Sequence, residues 1–292
     1  MIYTLENEKI KITANTYGGE LNNLITKKDS VEFLWNGDEA YWKYHSPILF
    51  PIVGKVLDGK YIVDGKEYNL PQHGLARVRE FNMIEKTENR IVFELLWNED
   101  TLKLYPYKFS LRLSYDLLED GVKVGYEVKN LDNKDMYFSI GGHPAFMCPL
   151  FENEKFEDYY FEFDQKETAE VMLTDINTGY FTRERKEFLN NQNKIKLDLK
   201  LFEYDALIFD SLKSNSITLK SDKNNKSITM DFTNFPYLAL WTKATGAPFI
   251  CIEPWYGHGD FFDFKGDFKD KEGNQMLKSN EIFTASYSLH LK

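Results

Sequence analysis

The 292-residue sequence predicts an all-β protein, a large antiparallel β-sandwich. Three observations carry that prediction. Apolar and polar residues alternate with a period of two along many short segments, Asp-Gly turns join such segments, and no stretch repeats its apolar residues at i, i+3, i+4 and i+7 as a helix would. Many short strands punctuated by turns read as a sandwich rather than a parallel α/β sheet.

The clearest strands come mid-chain. In Phe109–Asp116, Phe109, Leu111, Leu113 and Tyr115 alternate with Ser110, Arg112, Ser114 and Asp116. In Gly121–Lys129, Val122, Val124, Tyr126 and Val128 alternate with Lys123, Gly125, Glu127 and Lys129. Asp120-Gly121 turns one segment into the other, and Asp64-Gly65 does the same between Tyr61–Val63 and Glu67–Tyr68. The same period marks Ile91–Trp97, Tyr159–Phe163, Ile228–Phe232 and Phe283–Leu291. Charge thickens from about Phe151 to Lys200, where longer loops are expected. With no repeat and no Pro- or Gly-rich linker, residues 1–292 read as a single domain.

Composition narrows the function. The formal charge of −10 disfavours nucleic acid and anionic membrane as partners. Two cysteines, Cys148 and Cys251, are too few for a secreted disulfide scaffold, and the start MIYTLENEKI lacks the apolar core of a signal peptide. No apolar run approaches the roughly 20 residues of a membrane helix. A cytoplasmic location follows as the expectation. Aromatic residues make up 16% of the chain, which suits strands and a cleft that stacks against flat molecules.

Four segments do not look like strand filler. Leu70–Arg77 packs Pro71, Gln72, His73, Gly74 and Arg77 into a polar loop, where His73 is a ligand-facing candidate or a solvated loop histidine. Ser139–Phe146 places His143 between Gly141-Gly142 and Pro144, a stiff point at a strand end where a backbone can approach closely. In Phe249–Gly257, Glu253 follows an apolar run, so its carboxyl must find a partner or rise in pKa by desolvation. Pro254 is expected to end the strand there, and Trp255 and Tyr256 offer rings for stacking. Asp205 precedes the apolar segment Ala206–Phe209, a placement that alone fits a turn residue. Lys55 is a weaker donor candidate, His258 sits in a Gly-flanked loop that can line a cleft, and His290 alternates outward.

Together, Gln72-His73-Gly74-Leu75-Ala76-Arg77, Gly142-His143-Pro144, Asp205 and Cys251-Ile252-Glu253-Pro254-Trp255 resemble, in order and spacing, the aldose 1-epimerase (galactose mutarotase-like) superfamily and its LacX-like branch. The resemblance covers nearly the whole chain. It implies a galactose mutarotase-like supersandwich that interconverts the α and β anomers of a hexose without a cofactor or metal. It implies His143 as general acid, Glu253 as general base and His73 as a second active-site histidine that polarises the sugar. Asp205 would bind sugar hydroxyls. Lys55 stands near a position where many relatives carry Arg, and it lacks that planar fork. Gln72, Phe146 and Trp255 are expected to contact the sugar, the two aromatic residues by covering its apolar face.

Arg77 suits bidentate phosphate contact, so a hexose 6-phosphate is an alternative substrate. A structural ion pair for Arg77 is the bland alternative. Rival functions are a non-catalytic sugar-binding module, a metal enzyme built on His73, His143 and Glu253, and a glycoside hydrolase using Glu253 and Asp205.

Overall fold

In the computed structural model, which describes residues 1–292, the chain forms antiparallel sheets with one short α-helix at Glu99–Leu104. Asn98 caps that helix, its side chain accepting from the Asp100 and Thr101 backbone N–H groups. The N-terminal strands Ile2–Glu6, Ile10–Asn15, Leu21–Thr26 and Val31–Glu32 make a four-stranded sheet. The remaining long strands join one 15-stranded sheet that curves around a continuous core of 63 buried residues. Residues of both sheets share that core, among them Ile12, Leu24, Phe93, Leu111, Phe161 and Ile250. This is the sandwich that the alternation predicts, with every strand pair antiparallel.

The expected pairing of Phe109–Leu117 with Gly121–Asn130 is present, with Leu113 opposite Tyr126. The Asp64-Gly65 turn joins Lys60–Val63 to Lys66–Asn69. Both of its residues have positive φ, 51° and 76°, the geometry of a tight hairpin turn.

The charged stretch after Phe151 is not loop. Tyr159–Thr174 and Phe181–Lys196 are 16-residue strands paired in a long hairpin. Beyond Phe181, which bridges Phe261, Phe181–Lys196 pairs along one edge only; most of its residues are exposed, and its apolar period is diluted.

Pro254 does not end its strand, which runs Phe249–Tyr256 and is flanked by Tyr237–Trp241 on one side. On the other side lie two short strands, Ile140–Gly142 and Ala145–Met147. Ile252 N–H donates toward Pro144 O on that side, and residue 254 faces the same way two residues on. There the neighbouring strand is interrupted at His143-Pro144, so no ladder bond is lost to the proline. The interruption that admits Pro254 also turns His143 toward Glu253.

Candidate active site

The Phe249–Tyr256 strand sorts its side chains by face. Ile250 and Ile252 enter the main core, while Cys251, Glu253 and Trp255 lie on the opposite face. That face borders a cavity of about 330 Å³, near the lower end of the roughly 300–1,000 Å³ range of ligand pockets and of a size for one sugar ring. His73, His143, Asp205, Arg77, Lys55, Gln72, Glu253 and Trp255 all line it. Eight segments spread from Trp42 to Trp255 thus converge on one hollow. A larger hollow of about 710 Å³ on the outer face of the big sheet holds charges that pair among themselves, Arg90 with Asp116 and Arg112 with Glu127. It contains no histidine.

Glu253 Oε2 lies 3.2 Å from His143 Nε2. The contact is off the line a hydrogen bond needs, and Glu253 Oε2 and His143 Nδ1 are buried without a partner. Glu253 is 2% and His143 6% exposed. Burial pushes the Glu253 carboxyl well above the usual carboxylate range, and the nearby charge of Asp205 adds to the rise. Burial also pushes the His143 imidazole down to about 3, with the positive charge of Arg77 second. Both shifts favour neutral groups, so the pair carries one proton between two atoms in contact. Trp42 lies over the His143 ring at 4.7 Å between centroids, and Trp241 meets it edge-on at 5.6 Å. The two indoles fix the imidazole plane. The glycines before His143 serve close approach: a Cβ on Gly141 would sit 2.4 Å from the Trp255 ring, and one on Gly142 2.6 Å from the Tyr126 hydroxyl.

His73 takes a positive φ of 64°, followed by Gly74 at 77°. A Cβ on Gly74 would fall 2.3 Å from the Phe50 carbonyl oxygen, so only glycine fits. Gly54 N–H donates to His73 Nδ1 at 3.2 Å. That bond places the imidazole proton on Nε2, on the cavity side beside the Gln72 amide at 3.3 Å. Burial above all holds the His73 imidazole well below its usual range, so it is a neutral donor.

Asp205 also has a positive φ, 73°, and its Oδ1 accepts from Trp241 Nε1 at 2.8 Å. Burial raises its carboxyl from the ordinary value, and the Trp241 hydrogen bond works against that rise. Lys55 Nζ donates to Thr178 O at 2.9 Å, tying the cavity to the tip of the long hairpin. Arg77 makes no ion pair. Its Nη2 donates to Gln72 O at 2.9 Å and its guanidinium lies 4.8 Å over the Tyr44 ring. The bland ion-pair reading of Arg77 is thereby corrected: a half-buried guanidinium without a carboxylate faces the cavity.

Phe146 is a second correction. It is 1% exposed, belongs to the main core and does not line the cavity. In Ala145–Met147 the alternation turns Ala145 toward Cys251 and Phe146 inward with Ile250. His258 likewise misses the cavity, being 1% exposed and packed against Phe181, Tyr237 and Phe261. His290 sits on the outer strand surface beside Asp120. Sequence reasoning missed Trp42, Tyr44, Trp241 and Phe181, all of which line the hollow. Nothing adjacent marks Trp42 or Trp241. Only the paired position of Trp241 opposite Cys251 brings it there.

Behind this wall lies a buried ion pair, Lys271 Nζ to Asp260 Oδ1 at 2.8 Å, with side chains 2% and 3% exposed. Asp260 Oδ2 accepts from Leu57 N–H, and Asp260 N–H donates to Lys55 O. The pair thus braces the loop that carries Gly54 and Lys55.

The profile of the aldose 1-epimerase family matches residues 1–274. The plasmid-borne Protein LacX of Lactococcus lactis subsp. lactis is 39% identical over 264 residues, 88% of each chain. Among solved structures, the galactose mutarotase related enzyme from Lactobacillus acidophilus superposes with a TM-score of 0.95 at 33% identity, covering 100% of this chain and 97% of that one. A galactose mutarotase-like protein from Lactobacillus casei ATCC 334 gives 0.93 at 31% identity, with both chains fully covered. The supersandwich and the lineage therefore agree, and the chain belongs to the aldose 1-epimerase family.

Proposed function

We propose that the protein is an aldose 1-epimerase that interconverts the α and β anomers of a hexose. The observation that carries the reading is the buried contact between His143 and Glu253 on the wall of a sugar-sized hollow. A pair that holds one proton suits a reaction in which one proton is taken and one is given. The base removes the proton of the anomeric hydroxyl as the C1–O5 bond breaks, and the acid protonates O5. The open aldehyde turns about C1–C2, and the reverse transfers close the ring on the other face. Each positioned group contributes roughly 10²–10⁴-fold.

With Glu253 as base and His143 as acid, the working form is carboxylate and imidazolium. The empty site favours the neutral form by burial. Sugar hydroxyls that hydrogen-bond to the carboxylate supply the stabilisation that moves the proton across the 3.2 Å contact. His73 Nε2–H donates to a sugar oxygen, and Asp205 accepts from hydroxyls. The exchange between anomers of free hexoses, followed by NMR, tests the reading. Binding with no acceleration of exchange would make the protein a sugar-binding module instead.

A hexose 6-phosphate is the second reading, favoured by one observation: Arg77 and Lys55 both line the hollow and neither has a carboxylate partner. Arg77→Ala separates the two substrates. If phosphate is held there, KM for a hexose 6-phosphate rises about tenfold or more while KM for the free hexose barely moves. Equal effects on both sugars would remove the phosphate reading.

A further inference from the structure

Cys251 stands two residues before Glu253, on the same face of its strand and therefore beside the catalytic pair. One ring nitrogen of His143, the sulfur of Cys251 and a carboxylate oxygen of Glu253 all lie within 4.8 Å of one another. The three residues are buried. Glu253 Oε2, in a residue 2% exposed, has no hydrogen-bond partner, nor has His143 Nδ1. Nothing in the ring-opening chemistry uses the thiol.

We propose that His143, Cys251 and Glu253 form a binding site for a thiophilic divalent cation of the zinc class, whose occupation blocks the catalytic pair. The donor set, one imidazole, one thiolate and one carboxylate, is of the kind such ions select. The spacing fits as well. Two bonds of about 2.0–2.1 Å at a tetrahedral ion set their donor atoms about 3.3 Å apart, and His143 Nε2 and Glu253 Oε2 are 3.2 Å apart. The sulfur needs only a small shift to close the third edge. His143 and Glu253 line the hollow, so the fourth position is assigned to a water entering from that side.

Binding releases the Cys251 thiol proton and the Glu253 carboxyl proton to solvent, so affinity rises with pH. An ion there occupies the lone pairs that ring opening requires. The ion is an inhibitor on this account. The rival catalytic metal site built with His73 is a different set, because His73 Nδ1 already accepts from Gly54 N–H.

Cadmium alone is the probe, and the readout is the ultraviolet charge-transfer absorption of a cadmium thiolate, which is independent of any sugar. Titration of the intact protein is expected to give one equivalent of this absorption. Cys251→Ser is expected to abolish it and to weaken cadmium binding at least tenfold, whereas Cys148→Ser leaves it unchanged. Cys251→Ala provides the same comparison should the serine variant fold poorly, and Glu253→Gln is expected to weaken binding while keeping the thiolate absorption. No absorption in the intact protein would overturn the proposal, as would full absorption in both Cys251 variants.

Discussion

Glu253 and His143 share a single proton because each is buried in the form that carries no charge. The pH dependence follows from the direction of each shift. A second proton joins the pair only as pH falls to about 3, where His143 protonates. The last proton leaves only above the raised Glu253 value. The kcat/KM profile of anomerisation is therefore expected to show no limb near the ordinary histidine pKa of about 6.5 and to fall on the alkaline side instead. An acid limb at 6–7 would contradict the placement of the proton. Glu253→Gln and His143→Ala are each expected to lower kcat by about 10²-fold or more with sugar affinity nearly kept, as isothermal titration and anomer exchange would show. Near-native turnover in either variant would refute the assignment. These two residues were legible because each stands at a break in an apolar pattern, His143 between glycines and a proline and Glu253 at the end of a hydrophobic run. Phe146 was misread because an aromatic next to a site motif looks the same whether its strand turns it outward or inward, and only pairing with Phe249–Tyr256 decides.

Elements were legible wherever one face is dry and the other wet, as in Phe109–Leu117 and Gly121–Asn130, which alternate along their length. Phe249–Tyr256 is covered on both faces and shows no polar alternation to read. Beyond Tyr159–Phe163, which alternates legibly, the hairpin of Tyr159–Thr174 and Phe181–Lys196 fails for the opposite reason, since its outer portion is solvated on both sides. The brace behind the site escaped notice because Asp260 and Lys271 look like two more surface charges in a charge-rich tail. Burial lowers the Lys271 pKa, and contact with the Asp260 carboxylate opposes that shift. Lys271→Met leaves the Asp260 carboxylate buried without its cation, and a loss of about 3–5 kcal/mol is expected in urea denaturation. A loss below about 1 kcal/mol would mean that water reaches Asp260.

Across the whole molecule, three histidines are held neutral by burial: His73 well below its usual value, His143 near 3 and His258 near 4. In the unfolded chain each titrates near 6.5. Their contribution to stability is complete above that value and is lost as pH falls through the window down to the folded values. Glu253 and Asp205, both raised, act in the opposite sense, holding protons that the unfolded chain releases above about 4.3 and 3.9. Near pH 5 the histidines outnumber the carboxyls, so unfolding takes up about one to two protons and stability falls by about 1.4 kcal/mol per pH unit for each. The urea midpoint is therefore expected to drop between pH 7 and pH 5, and a flat midpoint would show that the imidazoles are wet. One feature of the outline bears on association. The outer edge of Phe181–Lys196 offers a long row of unclaimed backbone donors and acceptors, yet it carries Arg183, Glu184, Arg185, Lys186 and Glu187 in unbroken succession, all exposed. A foreign strand laid along it would set its own side chains against these five charges, so this border is guarded against templated stacking.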